Sequence, residues 1–502
     1  MKSDVTIKGN RKKDYIIFVV IFIVALILFA GYLTPHFATD LYRVYDKTYI
    51  GYAKENSILD GRVVQFFITN ALDLFHISIE ASSVITSVLA ILISCIAVVV
   101  IKNEVEKYKQ LNNKIAQVFL IIVSFFTIFN FMYIENMYFQ DCLAMAFSIL
   151  FYILSAKWCI VEKGKHYLLK SGFLMLLAIF CYQGTISCFF ITALVFSILK
   201  ESNWKNIFKN MLISIVIGIF SIFINLIFVA IIENALHLEQ GRGFAPNELL
   251  GNILYIFEKC TDVLLYTGNL YHSHFFIIFL LLIELLLVIK LVREKNPNTD
   301  SILIEQFIII VFGIAFSFIT SVYNLDGFHS GRIRFSIGAL IGFVLIHIIV
   351  KTNLLEKNTG MNIWLRIVSI IYFITVSFTI VTNIATVKQV NELDKAQSLE
   401  IGNYVKSYEK NTGEKVEYLA IVIEEGKVGL AYYPNLWYTG SITTCSAIRT
   451  KWSALGAINY YNHTSLQEKE TTEFDIEQYR EQVDEKQYLC IGNTLYITCY
   501  MY

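Results

Sequence analysis

Two acidic residues follow the first long apolar segment of the chain and are the first candidates for chemistry. Asp40 and Asp46 lie in the stretch His36–Asp46, directly after an apolar run that ends near Leu33. A carboxylate close to a membrane boundary can act as a general base toward a hydroxyl group when its geometry and pKa suit the task. An ordinary solvated acidic loop has the same composition, so both interpretations stay open at this point.

Arginines recur in the loops between later apolar segments. A guanidinium group can hold a phosphate through two parallel hydrogen bonds, and the candidates for this role are Arg43, Arg62 and Arg332. Gly61 and Gly331 precede two of them, and a glycine allows close approach of the backbone. Anchoring at the end of a membrane span is the alternative role for such arginines.

Further polar residues surround a turn near residue 140 and interrupt one later apolar run. Glu135, Tyr138 and Asp141 lie at the turn, with Asp141 just inside a predicted span over 139–156. A carboxylate inside a membrane is a functional candidate by default, although a location at the interface explains Asp141 equally well. Gln183 interrupts the later run and is suited to bind either a sugar or a backbone carbonyl.

The composition identifies the class of protein that carries these residues. Hydrophobic residues make up 56% of the chain and charged residues 16%, which is typical of an integral membrane protein. The net charge is +0, so a nucleic-acid partner has no electrostatic support. No Cys-x-x-Cys pair or His/Cys cluster occurs, and we expect neither a disulfide framework nor a thiolate metal site. One pairing among Cys445, Cys490 and Cys499 stays open.

Apolar runs long enough to cross a membrane recur along the first three quarters of the chain. A span needs about 20 apolar residues, and basic residues without a later cleavage site indicate that the first run is retained. Predicted spans cover Tyr15–Leu33 and the ranges 83–101, 115–133, 139–156, 211–232, 274–292, 302–322, 335–350 and 363–386.

One apolar run, 171–199, is too long for a single span. As one helix it would extend ~43 Å, compared with a hydrocarbon core of about 30 Å. Lysines stand at both of its ends, which puts both ends in the cytoplasm. The run therefore predicts a short hairpin that turns at Tyr182-Gln183-Gly184-Thr185. Because irregular backbone at membrane depth is tolerated only where it lines a cavity, the hairpin implies a cavity open to the outside. A single tilted helix with a buried Gln is the alternative.

The fold class follows from these runs and the loops between them. We expect an all-α polytopic membrane protein with about 11 transmembrane helices, its N-terminus in the cytoplasm, because cytoplasmic loops are rich in lysine. The membrane domain covers 1–386, and its outer loops 34–82 and 233–273 contain amphipathic, interfacial helices at Val63–Ile79 and Leu249–Leu270. Residues 387–502 form a small extracytoplasmic α/β domain. Its predicted strands are Tyr418–Ile423, Tyr438–Thr443 and Tyr488–Tyr500, the last turning at Gly492-Asn493.

Together these features resemble the polytopic GT-C glycosyltransferases and, more narrowly, the glucosyltransferase II (GtrII-type) family of bacterial surface-glycan modifying enzymes. The resemblance covers roughly residues 15–386 and depends on the order and sidedness of short elements. These are Thr39-Asp40, Asp60-Gly61-Arg62, Tyr138-Phe139-Gln140-Asp141, Tyr182-Gln183 and Gly331-Arg332.

The resemblance implies a reaction and a role for each candidate. A sugar, with glucose as the first candidate, would pass from a polyprenyl-phosphate donor to a cell-surface glycan on the outer face of the bacterial cytoplasmic membrane, with inversion. Asp40 is then the base and Asp141 a helper, while Arg62 and Arg332 hold the lipid phosphate and Gln183 lines the cavity. The choice of base between Asp40 and Asp46 stays open, because Thr39 stands where the family suggests a first of two adjacent acids.

Two other functions stay as alternatives. A lipid-linked glycan flippase or transporter would also have many spans, but such proteins usually carry an internal repeat and polar residues near the midplane. A surface-polysaccharide polymerase or ligase works at the same face. No cofactor is expected, and a divalent cation has no support in the sequence.

Overall fold

The computed structural model describes residues 2–109, 111, 113–237, 249–266, 274–323, 330–356, 359–424, 426–436, 441–483 and 487–500. These residues are mostly helical. The N-terminal half contains α1 (Lys2–Leu28), α2 (Thr39–Ala53), α3 (Val63–Leu74), α4 (Ile79–Tyr108), α5 (Lys114–Ile128), α6 (Tyr133–Tyr138), α7 (Cys142–Ile160), α8 (Tyr167–Cys181), α9 (Ser187–Lys200) and α10 (Trp204–Leu236).

The remaining helices and a small sheet follow in the second half. The helices are α11 (Leu249–Tyr266), α12 (Phe275–Arg293), α13 (Thr299–Phe316), α14 (Ile319–Tyr323), α15 (Phe335–Lys351), α16 (Gly360–Thr412), α17 (Ala454–Asn462) and α18 (Glu473–Gln482). The strands are β1 (Tyr418–Glu424), β2 (Gln467–Lys469), β3 (Tyr488–Ile491) and β4 (Thr494–Tyr500).

The chain is a helical membrane protein by the length and composition of its helices. Among the residues searched, 7 helices are long and apolar enough to cross a membrane. They include α4, α7, α10, α12, α13 and α16, and α9 with the turn before it. Shorter apolar helices, among them α5, α8 and α15, pack between them. Central helices are buried nearly all round, as α9 and α15 are, whereas α10 leaves a broad apolar face exposed.

The long apolar run 171–199 is interrupted as predicted. Helix α8 ends at Cys181, and Tyr182 has an extended backbone with φ −165° and ψ 114°. A short 3-10 turn over Gln183–Thr185 follows, and α9 then begins at Ser187. The run is therefore two short helices rather than one long tilted helix.

The beginning of α8 and the end of α9 lie near the same end of α7. Close to the beginning of α8, the carbonyl of Ser171 accepts a hydrogen bond of 2.8 Å from the Ser155 hydroxyl. At the end of α9, Lys200 Nζ donates to the carbonyl of Ile160 at 2.6 Å. Ser155 and Ile160 both belong to the C-terminal part of α7. The two arms thus form a hairpin, with the 3-10 turn at its tip.

Helix α16 connects the apolar helices to the small sheet without a break at the predicted boundary between 386 and 387. It begins where the Thr359 hydroxyl accepts a hydrogen bond from the Asn362 N–H, and it ends at Gly413, whose φ of 77° closes the helix in the left-handed conformation. The sheet order is β2-β1-β4-β3, with β1 parallel to both of its neighbours and β3 antiparallel to β4.

Several predicted elements differ from the observed ones. The interfacial helix predicted over Val63–Ile79 ends at Leu74, and Ile79 already begins the spanning helix α4. Within the strand predicted over Tyr438–Thr443, Ile442–Thr444 form a 3-10 turn, and 438–440 lie outside the described residues. The strand β2 was not predicted. The turn at Gly492 is confirmed, with φ 57°.

The described thiols of the C-terminal region are unpaired. Cys445, Cys490 and Cys499 are all buried and free. The pairing that the sequence left open among these three residues is therefore not made.

Candidate active site

A buried carboxylate, Asp141, lies at the centre of the polar residues gathered at one end of the apolar helices. Asp141 is the residue immediately before α7 and is 8% exposed. Its side chain does not cap the helix. Instead, Oδ2 accepts a hydrogen bond of 3.3 Å from the Tyr52 hydroxyl of α2. The carboxylate is thus turned toward α2, the helix that contains Asp40.

The surroundings of Asp141 make it a weaker acid than an ordinary aspartate. Burial has the largest effect and raises the pKa of Asp141 to about 6. The charge of Arg62 lowers this pKa, and the charge of Asp40 raises it. Arg332 and the hydrogen bond from Tyr52 also lower it. Two carboxylates and two guanidinium groups therefore interact in one small volume.

Asp40 is the more accessible carboxylate of the two. It lies in the first turn of α2 and is partly exposed. Its charge acts on Asp141, and it also raises the pKa values of Tyr52 and Arg332. A partly exposed carboxylate is suited to accept a proton, because the hydroxyl group of an incoming substrate can reach it.

The start of α2 is fixed by hydrogen bonds to two distant helices. The Phe37 N–H donates to Asn391 Oδ1 at 2.9 Å, and the Asn391 amide donates to the Phe37 carbonyl at 2.8 Å. The Thr39 N–H donates to the Tyr138 hydroxyl at 3.1 Å. Tyr138 is buried, and its hydroxyl therefore positions the backbone next to Asp40.

Arg62 is held at the tip of the α8–α9 hairpin. Its guanidinium forms an ion pair of 3.1 Å with Asp60 Oδ2 and donates through Nε to Gln183 Oε1 at 3.3 Å. The same group lies over the ring of Tyr182, 5.0 Å from its centroid. The segments Asp60-Gly61-Arg62 and Tyr182-Gln183, which are more than 100 residues apart, thus form one contact.

Gly61 permits this contact because no larger residue fits there. Its φ is 73°, and a Cβ atom would lie 2.6 Å from the Asn225 amide nitrogen. The Asn225 amide also donates to the Gly61 carbonyl at 2.9 Å. A polar residue in the apolar helix α10 thereby fixes the backbone that leads into Arg62.

Arg332 is positioned by Glu135. The Arg332 N–H donates to Glu135 Oε2 at 2.9 Å, and the Ser330 hydroxyl donates to the same oxygen. The guanidinium lies over the ring of Phe139, 4.2 Å from its centroid. From the C-terminal region, the Ser441 hydroxyl donates to Glu135 Oε1 at 3.5 Å. Glu135 therefore accepts hydrogen bonds from the backbone and from the Ser330 hydroxyl of the arginine loop.

Arg43 and Asp46 lie at the edge of this group, and the charge of Arg43 also acts on Tyr52. Arg43 donates to Asn56 Oδ1 at 3.0 Å and forms an ion pair of 3.2 Å with Glu55. Asp46 is exposed. Its strongest charged neighbours are Lys47, Glu468, Arg43 and Glu55. Of the two acids that the sequence left open as bases, the one next to Asp141 is Asp40.

Several members of the group were missed in the sequence. The sequence did not indicate Tyr52, because it lies in an aromatic-rich segment and the direction of its side chain depends on the fold. Asn225 could have been found, since a lone amide in an apolar helix is unusual. Ser441 lies in the C-terminal region, 306 residues after Glu135, and no sequence pattern connects the two.

Neither a metal cluster nor a known relative adds to this site. Within the described ranges, no three His, Cys, Asp or Glu side chains are grouped to hold a metal ion. A cavity of about 510 Å³ lies elsewhere, in the C-terminal region, with Lys406, Glu409 and Gln467 among its lining residues. Comparison with known proteins finds no matching family model and no matching curated sequence.

Proposed function

We propose that the chain is a membrane glycosyltransferase that transfers a sugar, with glucose as the first candidate, from a polyprenyl-phosphate donor to a cell-surface glycan. One observation carries the proposal. At the end of the apolar helices, Asp141 interacts electrostatically with Asp40, Arg62 and Arg332, and Arg332 also interacts with Asp40 and Arg62. Paired carboxylates suit the activation of a hydroxyl, and paired guanidinium groups suit the binding of a phosphate.

The proposed topology has about 11 spans, with the N-terminus in the cytoplasm and residues 387–502 outside. The location is then the outer face of a bacterial cytoplasmic membrane. The hairpin of α8 and α9 supports this arrangement, since its lysine-flanked ends lie together and its tip reaches Arg62. All of the proposed reacting groups then lie on the outer side.

The acceptor is activated by removal of one proton. As the acceptor oxygen attacks the anomeric carbon of the donor sugar, its hydrogen passes to a carboxylate oxygen of Asp40. Asp141 is the neighbouring carboxylate of the pair. Asp40 fills this role because it is the more exposed of the two.

The donor loses its lipid phosphate in the same step. The bond between the anomeric carbon and the phosphate oxygen breaks as the new glycosidic bond forms on the opposite face, so the configuration inverts. The electron pair remains on the phosphate, whose charge Arg62 and Arg332 stabilise. Asp60 holds the Arg62 guanidinium, and Glu135 holds the backbone of Arg332. Charged groups that are already in position stabilise a developing charge most effectively.

The experiment that tests this proposal is transfer from a defined lipid donor. Purified full-length chain in lipid vesicles receives polyprenyl-phosphate [14C]glucose and surface glycan from the source cells. We expect label in the glycan and release of unlabelled polyprenyl phosphate. Movement of the intact donor across the bilayer, with no label in the glycan, would contradict transfer and support a flippase. Lengthening of a lipid-linked glycan instead would support a polymerase.

A further inference from the structure

Five aromatic rings from two distant parts of the chain form a continuous cluster beside the candidate active site. Phe37, Tyr42 and Tyr45 come from the segment that contains α2, and Tyr460 and Tyr461 come from α17. The ring centroids of Phe37 and Tyr460 are 5.3 Å apart, as are those of Tyr45 and Tyr460. Tyr460 and Tyr461 lie 4.9 Å apart.

The cluster changes from buried to exposed along its length. Tyr42 is fully buried, and its hydroxyl is 2.7 Å from the Tyr461 hydroxyl. Tyr460 is partly exposed, and Tyr45 at the outer end is 40% exposed. The buried members attach α17 to α2. The packing of α17 on α2 does not require Tyr45 to be exposed. The exposed end of the cluster, Tyr45 with Tyr460, is therefore available to bind a ligand.

A carboxylate borders the exposed end of the cluster. The Tyr460 hydroxyl donates a hydrogen bond to Glu80, a partly exposed residue in the first turn of α4. An aromatic surface with a carboxylate at its edge suits a ligand that has both an apolar face and hydroxyl donors. The carboxylate disfavours a phosphate or a nucleic acid, because it would repel their negative charge. A pyranose ring meets both requirements.

The exposed rings are also near enough to Asp40 to bind the same molecule. Tyr45 follows Asp40 by five residues on α2, which corresponds to about 7.5 Å along the helix axis and about 140° around it. The two side chains therefore leave different faces of α2, and a glycan several units long that passes around the helix would reach both. We infer that Tyr45, Tyr460 and Glu80 form an acceptor subsite that binds a pyranose unit of the same surface glycan chain, away from the unit that reacts.

This inference deepens the proposed glycosyltransferase function, and its test uses binding rather than transfer. The probe is a set of oligosaccharides released from the surface glycan of the source cells, titrated into the full-length chain in lipid nanodiscs. Saturation-transfer NMR gives the dissociation constant Kd. We expect Tyr45→Ala to raise Kd by about three- to tenfold, the effect of losing one aromatic contact, and Tyr45→Phe to bind like the parent.

The matched control is Phe474→Ala, because Phe474 is an exposed ring at 73% in α18, outside the cluster. Its Kd is expected to equal that of the parent. The subsite is overturned if the parent binds no oligosaccharide, or if Tyr45→Ala and Phe474→Ala have the same Kd. If Asp40→Asn retained full transfer while Tyr45→Ala still weakened binding, the proposed base would be wrong and the subsite would stand.

Discussion

The Tyr52 hydroxyl donates a hydrogen bond to Asp141 Oδ2 at 3.3 Å, although the two residues are 89 positions apart. This bond connects α2 to the beginning of the long apolar helix α7. It favours the ionised carboxylate and so opposes the effect of burial on Asp141. The packing of one helix against the other thus contributes to the protonation state of Asp141, after burial and the charges of Arg62, Asp40 and Arg332.

Activity is expected to fall as the pH drops through the pKa of Asp141, about 6. Below that pH the Asp141 carboxyl is protonated, and the site loses one of its two neighbouring negative charges. Tyr52→Phe removes a hydrogen bond to the carboxylate form, so the pKa of Asp141 rises and the acidic limb moves to higher pH. The measurement is kcat/KM as a function of pH for both proteins. A limb that moved to lower pH in Tyr52→Phe would contradict this assignment.

Arg332→Lys is expected to lower kcat on the order of 100-fold, the usual effect of losing one preorganised charged donor. Lysine keeps the charge but lacks the planar fork that binds two phosphate oxygens. The measurement is the single-turnover rate with polyprenyl-phosphate glucose. Arg293→Ala serves as the control, since Arg293 is exposed at the far end of α12. Equal rates for the two variants would exclude Arg332 from phosphate binding.

Glu135→Ala is expected to reduce kcat strongly, because it removes the acceptor for the Arg332 N–H and the Ser330 hydroxyl. Ser441→Ala removes only a 3.5 Å bond to the other oxygen and is expected to change kcat by less than about threefold. Glu135→Gln keeps an acceptor oxygen and should recover part of the activity. If Glu135→Gln were as inactive as Glu135→Ala, the charge of Glu135, rather than its hold on the loop, would be essential.

Thr48 has strained backbone within α2. Its φ is 65° and ψ 165°, a region almost restricted to glycine. The bend it creates separates the part of α2 with Asp40 from the part with Tyr52. Thr48→Gly is expected to stabilise the protein by about 1 kcal/mol, since relief of strain exceeds the added entropy of the unfolded chain. Thermal unfolding in detergent measures this, with Thr48→Val as the control. A lower melting temperature for Thr48→Gly than for Thr48→Val would show that the strain is absent.

The helices could be predicted because apolar runs and their lysine-rich borders follow simple physical rules. The break at Tyr182 was predicted for the same reason, since 171–199 is too long for one span. Asp40 could not be distinguished from Asp46, because the fold decides which face of α2 meets Asp141. The hydrogen bond from the Arg332 N–H to Glu135 joins residues that are far apart in the sequence, and their spacing does not predict it. The 3-10 turn at Ile442–Thr444 replaced a predicted strand because apolar and β-branched composition alone does not specify strand pairing.

The most direct test of the central claim compares Asp40→Asn with Asp46→Asn in the vesicle transfer assay. Both substitutions remove one carboxylate from α2, but only Asp40 acts on Asp141 and Arg332. We predict that Asp40→Asn loses transfer by at least about 100-fold, as expected for a general base, and that Asp46→Asn keeps more than about half of the parental rate. Full transfer by Asp40→Asn, or loss of transfer in Asp46→Asn alone, would contradict the account.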